Sequence, residues 1–426
     1  MATTTKFNPV CTIIMKSIVR EIDKGENLLV YTFVFYAIWA FAGGFMGFKG
    51  GLMDVIQMLH GSIPVILFLF CVLLYYHSSR PKVYASTMMT SKSSLSIIFA
   101  LFFMGMIPIM SGYGLQDIGL FFDAIIVAAF FTIRNDLKVR VVDVFIRVLA
   151  IIFFLSAIEW LVWRLTGFHV AIAEVSRYKI TYMQTLFNFI PISSEKIWVD
   201  IFMIGRFQSI ASEPGAVGTV SAFMLFATAN SKSYKYEYII FWISGILSFS
   251  YAFYVMAALS FAVQFSKKNL KYLIVGAIIV VLLYSYFADM FNVLILDRFN
   301  AEGHGNNRIN DYMQIKFNQA WEDGSLWFGK GNQEFDAIQE YGGNAGVQVS
   351  IYQYGILGVA AMVISYTIIF FNNLKSVVLK NKNIVIAFFV VFWLSFYQRQ
   401  NITTFFNCLI FFTMPLFCVY KEKEQQ

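Results

Sequence analysis

The feature that most constrains this chain is a series of apolar runs, each about as long as a bilayer is thick. A membrane-spanning helix needs about 20 mostly apolar residues, with a range of roughly 17–25. The first run is 27–48, and the polar segment before it is expected to be retained rather than cleaved as part of a signal peptide. Similar runs follow at roughly 58–76, 95–111, 117–133, 143–163, 214–230, 271–289, 347–371, 384–397 and 402–420.

The composition agrees with a membrane protein. Hydrophobic residues make up 58% of the 426 residues and charged residues only 13%, whereas a soluble domain carries about 25% charged residues. A water-soluble core of this length cannot hide so much apolar surface, so the composition excludes soluble enzymes, disordered chains and disulfide scaffolds. The four Cys lack metal-type spacing. We therefore predict no disulfide, no metal site and no cofactor.

Two stretches are predicted to turn back to the side from which they entered. Residues 237–266 as one helix would be about 45 Å long, against a hydrocarbon core of about 30 Å, and both flanks are rich in Lys. A turn at Ser248-Phe249-Ser250 keeps both flanks on the inner side. The pair 384–397 and 402–420 has the same basic flanks, with an outer turn at 398–401.

The predicted fold is an all-α, polytopic membrane protein, a single transmembrane domain over 1–426 with about twelve helices. Both termini are predicted to be cytoplasmic, and two long loops, 164–213 and 290–346, to lie outside. Twenty Lys and Arg residues lie in the proposed inner segments, against Lys49 and Arg399 in the short outer turns, as the positive-inside rule requires. The net charge of +7 therefore reports topology, and we predict no nucleic-acid partner.

The first outer segment contains an apolar stretch over 186–204 and ends in Arg206 and Glu213-Pro214. The stretch is predicted to form a helix, lying either in the outer interface or packed within the loop. Proline suits the first turn of the helix that follows. Glu213 is interpreted either as a charge that a helix N-terminus favours or as a functional carboxylate fixed at the outer surface.

The second outer segment opens with Arg298, His304 and Arg308. With Arg206, these arginines place three guanidinium groups on the outer side, and Arg binds phosphate oxygens in a bidentate manner. His304 is interpreted as a structural residue or as a proton acceptor. Three arginines beside the Glu213 carboxylate, all on one membrane side, favour a site for an anionic lipid headgroup.

A helix over 310–321 and a glycine turn come later in this segment. Gly329 and Gly331 flank Lys330 without the pattern of a P-loop. The two glycines could nevertheless bring backbone N–H groups close to an anion. The turn is therefore a candidate substrate contact.

Ionisable groups within the spans are few, which bears on transport. Asp123, Glu159 and Asp289 fall near the outer ends of their helices, where an interfacial or paired charge explains each of them. A transporter or lipid-linked oligosaccharide flippase would carry such groups, or broken helices, near the bilayer centre. An enzyme is therefore favoured over a transporter and over a sensory or structural membrane protein.

These residues give the chain a resemblance to the O-antigen polymerase and O-antigen ligase family of bacterial membrane glycosyltransferases, which implies a GT-C-like fold. The ligase branch usually has a His where this chain has Asn344, which favours a polymerase and keeps a ligase as the alternative. Many members also have a small hydroxyl residue where this chain has Gly215. The matching elements are Arg206 with Glu213-Pro214, Arg298 and Arg308, Trp321, the turn Trp327-Phe328-Gly329-Lys330-Gly331, and Gly355-Ile356-Leu357-Gly358.

The resemblance implies polymerisation of repeat units carried on undecaprenyl diphosphate, at the periplasmic face of the bacterial inner membrane, into O-antigen of lipopolysaccharide or a capsule-like polysaccharide. The transfer would be metal-independent and inverting, with lipid-linked glycans as donor and acceptor and a chain-length regulator protein as a further partner. Arg206, Arg298 and Arg308 would bind the diphosphate, and Glu213 or His304 would accept the proton of the attacking hydroxyl. Gly329, Lys330, Gly331 and Asn344 would be weaker substrate contacts.

Overall fold

The computed structural model describes 26–38, 41–42, 99, 125–127, 129–130, 133, 135–177, 180–194, 206–211, 213–229, 232–264, 311–331, 334, 346–376, 382–398, 406 and 409–410. In this part of the chain the helices are α1 (Glu26–Ile38), α2 (Asn135–Thr166), α3 (Pro214–Thr228), α4 (Lys235–Leu247), α5 (Tyr251–Gln264), α6 (Asp311–Glu322), α7 (Val347–Ser376) and α8 (Lys382–Gln398). The strands are β1 (Ala173–Arg177), β2 (Ile180–Gln184) and β3 (Phe189–Ser194), and short 3₁₀ turns lie at Lys232–Tyr234 and Ser325–Trp327.

Helices dominate, but the prediction of an all-α fold is corrected by a three-stranded antiparallel sheet in the first outer segment. The strand order is β1-β2-β3. Met183 pairs with Ile190 and Gln184 with Phe189. The predicted helix over 186–204 is therefore wrong across β3. Proline disfavours a helix interior and is tolerated in an edge strand, and Pro191 lies in β3 opposite Tyr182, beside a register shift.

Among the described residues, two helices have the length and apolarity of membrane spans. They are Leu137–Thr166, within α2, and Val347–Ile368, within α7. Both coincide with predicted spans, 143–163 and 347–371, and this supports a membrane protein. Shorter apolar helices coincide with the predicted runs at 27–48, 214–230 and 384–397. The other predicted runs lie outside the described residues in whole or in large part, so the count of twelve stays a prediction.

Contacts of α2 define the two ends of the helix bundle. At one end, which we call the Asp143 end, the Tyr234 hydroxyl donates to Asp143, and Arg147 pairs with Glu237 of α4 at 3.6 Å. At the other end, the Glu159 end, α2 contacts the turn between β2 and β3. Since Lys235 begins α4, α4 runs from the Asp143 end toward the Glu159 end.

Contacts between aromatic rings relate α3, α7 and α8 to the same axis. The rings of Phe226 and Phe388 lie 6.0 Å apart, and those of Phe223 and Phe392 lie 6.2 Å apart. Since Pro214 follows the segment at the Glu159 end, α3 descends to the Asp143 end, and α8 runs antiparallel to it. Tyr366 of α7 stacks on Phe392 at 5.3 Å. A second pair, formed by residues 370 and 389 at 3.8 Å, shows that α7 is also antiparallel to α8.

The predicted break within 237–266 is confirmed. Helix α4 ends at Leu247 and α5 begins at Tyr251. Phe249 occupies the left-handed region with φ 45°, which a continuous helix does not allow. Both helices pack on α3, where a Cβ on Gly218 would come within 2.4 Å of the Ser250 side chain. Close approach of the turn to α3 therefore requires glycine at this position.

Glu159 fastens the sheet to α2. Its Oε2 accepts the backbone N–H of Phe187 at 3.1 Å and the Asn188 side-chain amide at 2.8 Å, and its Oε1 accepts the N–H of Leu186 at 3.3 Å. Asn188 also donates to the carbonyl oxygen of Ser156 at 2.9 Å. An interfacial or paired charge was predicted for Glu159, and the carboxylate is paired with two backbone amides and the Asn188 side chain. The carboxylate satisfies N–H groups in the turn from β2 to β3 that the sheet leaves unpaired.

We predict that Glu159→Gln loosens this turn without unfolding the helices. An amide nitrogen would then face donors, and the lost charged hydrogen bonds are worth about 1.5–3 kcal/mol each. Hydrogen exchange measured by mass spectrometry should be faster over 180–194. Glu174→Gln is the matched control, because Glu174 is an exposed carboxylate on the same sheet. Equal exchange in both variants would contradict the anchoring role of Glu159.

Candidate functional site

Arg206 closes the break between α4 and α5. Its Nε donates to the carbonyl oxygen of Ser248 at 3.0 Å, and its Nη2 donates to that of Phe249 at 3.0 Å. The neighbouring N–H of Phe207 donates to the carbonyl oxygen of Leu247 at 3.0 Å. Carbonyls at a helix end have no partner within the helix. Here residues of the first outer segment donate hydrogen bonds to all three carbonyls. One edge of the half-buried guanidinium is therefore occupied by hydrogen bonds to the backbone of the turn.

Glu213 stands at the start of α3, as predicted. It is the N-cap residue, with extended backbone angles, and Pro214 is the first residue of the helix. The Glu213 side chain makes no capping hydrogen bond and is exposed. Negative charge is favoured at this end of a helix. The carboxylate thus lies at the N-terminus of a buried helix, seven residues after Arg206 in the chain.

A buried hydroxyl pair joins this segment to α2, and it was not found from the sequence. The Ser156 and Ser209 Oγ atoms lie 2.7 Å apart, and Ser156 donates to the carbonyl oxygen of Phe187 at 2.8 Å. Ser209 is fully buried with φ 51°, a conformation that costs energy for a residue with a side chain. The only available signal was a polar Gln208-Ser209 pair beside an apolar span. The pair thus joins the segment that carries Arg206 to the turn that Glu159 binds.

The glycine turn packs into a kink of α7. Gly355 has φ 74° and ψ 163° inside that helix. A Cβ on Gly329 would lie 2.5 Å from the Gly355 nitrogen, and a Cβ on Gly355 would lie 2.5 Å from the carbonyl oxygen of Trp327. A continuous helix would pair the Tyr352 carbonyl with residue 356, but here that carbonyl accepts the N–H of Lys330 at 2.7 Å. The turn therefore satisfies the polar backbone at the kink.

The structure also shows how the glycine turn is held. Gly329 and Gly331 both have positive φ, 84° and 81°, as a tight turn requires. The N–H of Gly329 donates to the carbonyl oxygen of Ser325 at 2.8 Å. Together with the Lys330 amide, this N–H group holds the turn in place. A contact between the turn and an anionic substrate stays a prediction.

Lys330 is paired within its own segment. Its Nζ donates to Oδ2 of Asp323 at 3.0 Å. Hydrogen bonds from the side chain and backbone of Ser325, followed by the contact with Lys330, lower the pKa of Asp323 to about 2. Asp323 is therefore ionised at neutral pH, as an ion pair with Lys330 requires. The pair closes the loop that carries the glycine turn.

A small second core holds this segment together. Its buried members are Met313, Ala320, Leu326, Val349 and Tyr352. They come from α6, the 3₁₀ turn and the part of α7 that precedes the kink. The predicted helix over 310–321 is confirmed as α6. The first arm of α7 thus packs on the second outer segment, and the arm after the kink contributes to the helix bundle.

The described parts of both outer segments lie at the same end of the bundle. Arg206 and Glu213 lie at the Glu159 end, where α3 begins. Since α7 descends toward the Asp143 end, Gly355, which precedes Tyr366 by three turns of helix, lies toward the Glu159 end too. The remaining candidates, Arg298, His304, Arg308 and Asn344, lie outside the described residues. Their meeting with Arg206 stays a prediction.

Comparison with known protein families, with curated proteins and with solved structures gave no match in any of the three. Among the described residues, no group of three or more His, Cys, Asp or Glu is arranged to hold a metal ion.

We predict that Gly329→Ala and Gly355→Ala each destabilise the protein more than Gly324→Ala does. All three glycines have positive φ, but a Cβ on Gly324 would meet nothing within 4 Å. Positive φ costs an alanine about 1–2 kcal/mol, and overpacking against backbone adds about 1–3 kcal/mol. Thermal unfolding in detergent, followed by fluorescence, measures the difference. Equal melting temperatures for all three variants would show that the close approach of turn and kink contributes nothing.

Proposed function

We propose that this chain polymerises oligosaccharide repeat units carried on undecaprenyl diphosphate, by inverting glycosyl transfer at the periplasmic face of a bacterial inner membrane. The observation that carries the proposal is the position of polar groups from two extra-helical segments at one end of an apolar helix bundle. Arg206 and Glu213 come from the first segment, and the Gly329–Gly331 turn comes from the second.

The position of these groups supports a lipid-linked substrate. A polyprenyl tail gains about 0.8 kcal/mol for each CH₂ group buried in the bilayer, so the diphosphate stays at the level of the lipid headgroups. A site for it must therefore lie where spanning helices begin. Arg206 and Glu213 lie beside the start of α3, a short apolar and mostly buried helix, which supports such a site.

The proposed reaction needs no metal, because the diphosphate is already a good leaving group. A hydroxyl of the acceptor sugar attacks the anomeric carbon of the donor sugar from the face opposite the diphosphate. The new glycosidic bond forms as the bond to the diphosphate oxygen breaks, and undecaprenyl diphosphate leaves. Arg206, Arg298 and Arg308 stabilise the charge that develops on it. Glu213 or His304 accepts the hydroxyl proton.

In this proposal the chain is a GT-C-like protein with about twelve spans, both termini in the cytoplasm and the Glu159 end facing the periplasm. Lys138, Arg140, Lys232 and Lys235 are near the Asp143 end in sequence, which supports a cytoplasmic position for that end. The bilayer supplies donor and acceptor, and a chain-length regulator is a proposed protein partner.

The test is polymerisation of a defined lipid-linked repeat unit by the purified protein, with product length measured on gels and the linkage read by NMR. Arg206→Ala, Arg298→Ala and Arg308→Ala should each lower the rate by about 10²–10³-fold. Glu213→Ala should lower it by about 10²–10⁴-fold if Glu213 is the base, with binding of the lipid-linked donor retained.

Arg164→Ala is the matched control, because Arg164 is an exposed arginine near the Glu159 end that has no role in the proposed site. It should leave the polymerisation rate unchanged. If all four site variants still make long chains at normal protein levels, the assignment of the site is wrong. Transfer of a finished glycan to a lipid A acceptor without chain growth would indicate a ligase, and movement of intact substrate without transfer would indicate a flippase.

A further inference from the structure

Three large aromatic side chains near the glycine turn are exposed to the surroundings. Trp321 is 63% exposed, Trp327 is 53% exposed and Phe328 is 55% exposed. We call these three residues the aromatic trio. They lie on either side of the short stretch that joins α6 to the 3₁₀ turn, outside the small core formed by Met313, Leu326 and the other members of that cluster. The fold of the segment leaves more than half of each residue exposed.

Two members of the trio lie next to α7, a helix with the length and apolarity of a membrane span. The backbone of Trp327 and Phe328 contacts Gly355 at the kink of α7. The exposed Leu357 follows two residues later, and farther along α7 the exposed residues Ile364, Ile368 and Phe371 recur at spacings of three, four and seven. Positions separated in this way share one side of a helix. The exposed apolar side of the arm after the kink therefore begins close to the backbone of Trp327 and Phe328.

We infer that the aromatic trio lies in the bilayer, at the boundary between lipid headgroups and acyl chains. Tryptophan is enriched at this boundary because its ring is apolar and its N–H group is polar. The bilayer is favoured over a protein or sugar partner because the exposed side of α7 beside Trp327 and Phe328 belongs to a helix with the length and apolarity of a membrane span. The trio thereby sets the depth of the Gly329–Gly331 turn relative to the headgroups.

This inference goes beyond the proposed glycosyl transfer and does not depend on it. The test uses the full chain in lipid vesicles. The tryptophan fluorescence of the double variant Trp321→Phe/Trp327→Phe is subtracted from that of the unsubstituted chain, and the difference is the signal of Trp321 and Trp327. Phenylalanine keeps an apolar ring at both positions, so the anchors remain. The difference signal should be quenched more by lipids brominated near the headgroup than by lipids brominated near the chain end. Iodide in the aqueous phase should quench it little.

The buried residue Trp160 provides the matched control. The fluorescence lost in Trp160→Phe should respond weakly to all three quenchers. Should the double variant fail to fold, each single variant gives the same difference measurement. Strong quenching of the trio signal by iodide, with no effect of brominated lipid, would overturn the inference. Stronger quenching from the chain end than from the headgroup region would overturn it as well.

Discussion

The structure depends on how it satisfies backbone groups where apolar helices are interrupted. A backbone N–H or carbonyl that is buried without a partner costs free energy, so a break is stable when another part of the chain supplies partners. The break at 248–250 receives two N–H groups from Arg206. The kink at Gly355 receives the N–H of Lys330. Arg206 belongs to the first outer segment and Lys330 to the second. Each outer segment is therefore held on the bundle by hydrogen bonds to an interrupted helix.

Some of these breaks and helix ends could be predicted from the sequence, and others could not. The break at 248–250 follows from length and from the basic flanks of 237–266, and the start of α3 follows from Pro214. Helix α6 follows from local periodicity. The kink at Gly355 did not follow, because a single glycine in an apolar run is compatible with a continuous helix. Its need for glycine arises from the backbone of residues 327 and 328, far away in the sequence.

The sheet was missed for a related physical reason. Apolar residues over 186–204 suit an interfacial helix as well as an edge strand, and local composition does not decide between them. The strand is selected by pairing with β2 and by the Glu159 carboxylate from α2, contacts that only tertiary structure supplies. Of the candidate site, the placement of Glu213 was predictable from its neighbour Pro214. The two hydrogen bonds of Arg206 were not.

Arg206 links the architecture to the proposed chemistry. A guanidinium carries five N–H donors in one rigid plane, and Nε with one Nη group makes up one of its edges. In this structure that edge binds the carbonyls of Ser248 and Phe249, which fixes the direction of the whole plane. Lysine has one rotating ammonium group and cannot hold two carbonyls in the same geometry. A helix cap at this position therefore pre-orients the charge that the proposed reaction uses, with no further loss of side-chain freedom when a diphosphate binds.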